Sequence, residues 1–118
     1  MRRELTLDPE PAAAGVARRF VSAVCAEWDL AHLTEPATVV ASELVSHTIC
    51  HTHAALRLSV VLSEPFLYIV VQPDGELPPA HSRLVDVFAT ARGVCLPGEG
   101  EPGAGKRLWA SLRAVPVT

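Results

Sequence analysis

The chain has 118 residues, 49% of them hydrophobic, and a net charge of −3 from ten Lys and Arg against thirteen Asp and Glu. That size and apolar content suit one domain, residues 1–118, with a single two-layer core, and the scattered basic residues point away from nucleic acid as the main partner. Cys25, Cys50 and Cys95 form no C-x-x-C pair, no apolar run reaches membrane-spanning length, and Met1-Arg2-Arg3-Glu4 turns polar too early for a signal peptide, so a soluble protein of the reducing cytoplasm is expected.

Glu4 to Leu7 alternates like a short strand. Asp8-Pro9-Glu10 then offers a cap, a proline for the first helical position and an acidic first turn. The helix that follows carries Val16, Phe20, Val24 and Trp28 at four-residue intervals as its core stripe, with Arg18, Arg19 and Glu27 on the watered face, and ends near Asp29-Leu30. Thr34 caps a second helix, with Glu35 and Pro36 in its first turn, and Val40, Leu44, Val45 and Thr48 carry it to about Cys50.

Leu56 to Leu62 and Phe66 to Val71 are rich in β-branched and aromatic residues and flank Ser63-Glu64-Pro65, which predicts an antiparallel hairpin. A turn from Pro73 to Pro79, with Asp74-Gly75 inside it, a weak helical stretch from Arg83 to Ala91, and a loop over residues 93–105, which hold five Gly and two Pro, come next. Lys106 to Val115 alternates Leu108, Ala110 and Leu112 with polar and bulky residues as a last strand. The order strand, helix, helix, three strands predicts an α+β fold, a two-layer sandwich with helices on one face of a largely antiparallel sheet.

Two motifs concern chemistry. Glu43, His47 and His51 follow one another at i, i+4 spacing in the second helix, so they share a stripe. His47 and His51, one turn apart, are a pair that zinc or nickel accepts, whereas the plain reading is a hydrated polar stripe. Gly100 to Arg107 imitates a phosphate-binding G-x-x-x-x-G-K loop, but Arg107 stands where the magnesium-binding hydroxyl belongs, Pro102 interrupts the loop, and a strand follows where a helix is needed.

Ala17-Arg-Arg-Phe-Val, Trp28-Asp-Leu, Val39-Val-Ala-Ser-Glu43-Leu-Val-Ser, the hairpin, Pro78-Pro79, Ala91-Arg-Gly-Val and Gly105-Lys-Arg-Leu-Trp109 occur in an order that resembles the ATP-binding domain of bacterial anti-sigma regulatory factors. These form the serine kinase branch of the histidine-kinase-like (GHKL) ATPases, and the resemblance covers most of the chain. It implies ATP and magnesium as cofactors, a sigma factor or anti-sigma antagonist as partner, and a homodimer formed through a sheet or helix face. It assigns Glu43 as the catalytic carboxylate, the position of His47 to a magnesium-holding Asn, the adenine contact to Asp74 beside Gly75, and the phosphate loop to Gly93 within a lid region, residues 91–105.

The chain departs from that pattern at each of these places except Glu43. Imidazole at His47 suits softer metals than magnesium. Without gaps the adenine Asp falls on Pro73, and a slip by one to Asp74 reverses the side-chain direction in an extended strand. Ala91 replaces the first loop glycine, Pro97 and the glycine-rich run replace the lid helix, and Arg107 replaces a strand hydroxyl. The expected function is a regulator that binds protein and retains a degraded or weak ATP site. The alternatives are an active serine/threonine kinase using Glu43 as base, and a metal-binding module built on His47 and His51.

Overall fold

A computed structural model describes residues 1–51, 53–74, 91–95 and 107–114. Strand β1 (Arg2–Leu7) leads to helix α1 (Ala13–Glu27), a 3-10 turn (Ala31–Leu33) and helix α2 (Thr34–His51). Strands β2 (Leu56–Ser63), β3 (Phe66–Pro73), β4 (Ala91–Cys95) and β5 (Arg107–Arg113) follow. They form one sheet in the order β1-β2-β3-β5-β4, with every neighbouring pair antiparallel. The helices pack on each other, α1 against β1 and β2 and α2 against β3 and β5. The architecture is α+β in two layers.

Alternation along the strands decides which face the helices cover. In β3, Leu67, Ile69, Val71 and Pro73 are buried while Phe66, Tyr68, Val70 and Gln72 are half-buried. Register extends the buried row to Leu56, Leu58 and Val60 of β2 and to Leu108, Ala110 and Leu112 of β5. Side chains two apart in a strand share a face, so this single row is the sheet's half of the core. On the opposite face Phe66, Tyr68 and Trp109 make a chain of tilted rings with centroids 6.2 Å apart at each step, and the Arg113 guanidinium lies 6.0 Å from the Phe66 ring.

The helices supply the other half of the core. α1 buries Ala13, Ala17, Val21, Val24 and Cys25, so the core stripe is turned from the one expected: Val24 and Trp28 belong to it, whereas Val16 and Phe20 pack at its margin. The buried stripe opens with the small Ala13 and Ala17 and continues through Val21, Val24 and Cys25. Asp8 is not the cap. Residues 8–12 turn instead, Ala13 N–H donates to the Glu10 carbonyl at 3.0 Å, and Ala12 precedes the helix without a side-chain cap.

The C-terminus of α1 closes by backbone alone. Asp29 takes φ 57°, its N–H donates to the Ala26 carbonyl at 3.3 Å, and Leu30 N–H donates to the Cys25 carbonyl at 2.7 Å. These are the two reversed bonds by which a left-handed residue satisfies terminal carbonyls. Thr34, expected as a cap, is already helical at φ −55°, ψ −48°, because the 3-10 turn runs directly into α2.

The hairpin forms as expected, with Leu56 to Ser63 paired in register with Pro73 to Phe66. Residues 91–95 differ from expectation. Ala91 is not the end of a helix and residues 93–95 are not loop; they form edge strand β4, with Gly93 opposite Trp109. Pairing with β5 satisfies the backbone groups of β4 that face inward and completes the ladder of β5, and that nonlocal gain overrides the turn-like local composition. The expected helix from residue 83 to 90 and the rest of the expected loop and lid, residues 96–105, lie outside the described residues. Among the described residues no helix is long and apolar enough to cross a membrane.

Candidate functional site

Helix α2 sets the geometry. Ala37, Val40, Ala41, Leu44, Val45 and Thr48 are buried, and Thr48 keeps its hydroxyl satisfied inside the helix by donating to the Leu44 carbonyl at 2.7 Å. Thr34 and Thr38 line a groove shared with α1, which fixes the side of α2 that faces its neighbour. At 100° per residue His47 stands about 180° around the axis from Thr38, and Glu43 about 140°. Both are half-buried, and both therefore occupy the flank of α2 turned away from α1.

Chain direction gathers further candidates at one end of the sheet. α2 ends at His51, β2 starts at Leu56, and Leu56 pairs with Pro73 at the end of β3. Arg107 opens β5 at that same end, opposite Cys95, the last residue of β4. Thus His47, Asp74 and Arg107 lie toward one end of the fold, with Glu43 one turn further along α2.

The structure gives Pro73 and Asp74 different surroundings. Pro73 is buried in the row of Val71 and Ile69 and offers no acceptor side chain to a base. Asp74 follows at a bend, with its carboxylate exposed and its N–H donating to the Ala55 carbonyl at 2.9 Å. Gly75 lies outside the described residues. Gly93 sits within β4 rather than in a loop, so its backbone belongs to the sheet ladder with β5.

Among the described residues no three His, Cys, Asp or Glu side chains gather in a way that could hold one metal ion. The side chain of His51 lies outside the described part of the chain, so the His47 and His51 pair does too, in part. The P-loop mimic at residues 100–106 is likewise outside. Arg107, which begins β5, shares with Trp109 the face turned away from α1 and α2, and its Nε is buried with no hydrogen-bond partner.

Among the described residues, Cys25 is the group whose acidity is clearly altered. Burial pushes its thiol up from the ordinary value of 9.0, and a hydrogen bond with Thr34 pulls it partly back. It is fully buried in the core cluster, which makes it a packing residue rather than a nucleophile.

Sequence reasoning missed the groove between α1 and α2, because it combines residues from two helices whose packing angle no local pattern encodes. The clue was present in Arg18 and Arg19, read only as a solvated face. No family model and no curated protein matches the chain.

Proposed function

We propose that the protein is a regulator of the anti-sigma type that acts by binding a protein partner, on a histidine-kinase-like scaffold with a degraded nucleotide site. The observation that carries this reading is the pairing of Ala91–Cys95 with β5, which puts an edge strand where the resemblance calls for a phosphate loop opening a lid helix. A phosphate cradle needs several backbone N–H groups turned toward one point, whereas strand N–H groups alternate in direction and feed the ladder. Pro73 in the core row and Asp74 exposed beyond it support the same reading at the adenine position. The partner is a sigma factor or an anti-sigma antagonist.

The test is affinity capture of the tagged chain from a bacterial lysate with and without ATP. Retention of a sigma factor or antagonist without added nucleotide is expected. Phosphorylation of an antagonist serine at a useful rate contradicts the proposal and favours the second reading, an active serine/threonine kinase with Glu43 as base. One observation speaks for that alternative: Glu43 and His47 share a half-buried flank that runs toward the end of the sheet holding Asp74. Proton abstraction there requires a hydroxyl brought within hydrogen-bond reach of Glu43.

A further inference from the structure

On the other flank of α2, α1 and α2 enclose an open groove of about 540 Å³ lined by Arg18, Arg19, Ala23, Ala26, Thr34 and Thr38 among others. Its lining combines the small, exposed apolar side chains of Ala23 and Ala26 with the hydroxyls of Ser22, Thr34 and Thr38. Among the described residues its lining contains two guanidinium groups and no carboxylate. These groups converge: Arg18 Nη2 and Arg19 Nη1 each lie 3.6 Å from the point where a Cβ on Gly15 would stand, so the missing side chain leaves room for both beside one spot on α1.

Two like charges gathered beside a groove repel unless a counter-charge joins them, and this chain spends its described ion pairs elsewhere. Arg3 pairs with Glu27 and Arg2 with Glu4. In a protein of net charge −3 the groove is thus a local cationic site beside a small apolar strip, Ala23 and Ala26. From Arg18 to Ala26 it runs about 12 Å along α1, the length of roughly two helical turns. Such a combination suits a ligand that carries carboxylates on one side and small aliphatic groups on the other.

We infer that this groove docks a short acidic, amphipathic segment of a protein partner, with its carboxylates on Arg18 and Arg19 and its apolar side against Ala23 and Ala26. The occupant's class rests on the protein-binding reading above. Its site does not, since the groove lies on the opposite flank of α2 from Glu43 and His47. Nucleotide binding, the failure point of that reading, is measured separately from peptide binding, so the two fail distinguishably.

The probe is a labelled synthetic helix-forming peptide of Glu and Leu, followed by fluorescence anisotropy beside a Gln-for-Glu version and a Ser-for-Leu version. Saturable binding of the Glu-Leu peptide is expected, weakened about tenfold or more by the double substitution R18E/R19E and by raised salt, and largely kept by R18K/R19K. Both arginines are exposed, and circular dichroism melting shows that the variants fold. No binding of the Glu-Leu peptide, equal binding of the Gln peptide, or undiminished binding by R18E/R19E overturns the inference. So does equal binding of the Ser-for-Leu peptide together with full displacement by inorganic phosphate, which would make the groove a simple anion site.

Discussion

The side of α2 that faces the sheet and the flank that carries Glu43 and His47 follow different rules, although they share one helix. The inner side is an unbroken series of Ala37, Val40, Ala41, Leu44, Val45 and Thr48, each closed off from water and set against β3 and β5. The flank is half-open and mixes a carboxylate with an imidazole. On the flank Glu43 stands where the resemblance calls for a carboxylate, whereas His47, Pro73 with Asp74, and strand β4 stand where it calls for an asparagine, an adenine carboxylate and a phosphate loop. On the function we propose, the inner side serves the scaffold and the flank is free of nucleotide chemistry, so the two should answer differently to substitution.

The sharpest way to break that comparison is to damage each side in turn. Leu44→Ala, on the buried inner side, is expected to cost about 2–5 kcal/mol in urea unfolding, since it removes apolar contacts and leaves a cavity. Glu43→Ala and His47→Ala should stay within about 1 kcal/mol of the parent in the same assay, as half-open positions do. A flank substitution as costly as a core one would mean that Glu43 or His47 is structural.

A smaller effect follows from Cys25. Its folded-state pKa is raised, so the neutral buried thiol contributes stability that is present below the unfolded value near 9.0 and is lost as pH climbs above it. Stability is expected to fall on the alkaline side of pH 9, and Cys25→Ala should flatten that limb while lowering stability at neutral pH. In parallel, exposed Cys50 should react rapidly with a thiol reagent while Cys25 reacts only on unfolding. Rapid labelling of Cys25 in folded protein would contradict the core assignment.

The smallest effects concern the ends of α1. Arg3 pairs with Glu27 and lies 5.9 Å from the Trp28 ring centroid, but both charged groups are about half exposed, so Arg3→Ala should cost no more than about 1 kcal/mol. Asp29→Gly should stabilise by up to about 1 kcal/mol, because glycine takes φ 57° without the strain a side chain brings there. Thermal unfolding of the two variants checks both signs.

Much of the fold was legible because it rests on local patterns. The alternation in Phe66 to Val71 and the spacing of Val40, Leu44, Val45 and Thr48 each named their own element and its buried side. What was not legible depended on partners distant in sequence. Ala91–Cys95 reads as the edge of a loop until β5 is present to pair with it, and the core face of α1 is set by small residues, Ala13 and Ala17, that carry little hydrophobic signal of their own. The cap expected at Asp8 gave way to a turn, and the cap expected at Thr34 to a 3-10 lead-in. Of the candidate site, Glu43 and His47 were legible as one stripe, and the consequence of a one-residue slip at Pro73 and Asp74 followed from strand parity. The Arg18 and Arg19 groove was not, because its second wall comes from another helix.

Calorimetric titration of the metal-free protein with ATP and ADP, with and without magnesium, tests the central claim most directly. The account predicts no saturable, magnesium-dependent heat at millimolar nucleotide. Saturable binding that needs magnesium and disappears in Glu43→Ala and Asp74→Ala would contradict it and restore the kinase reading.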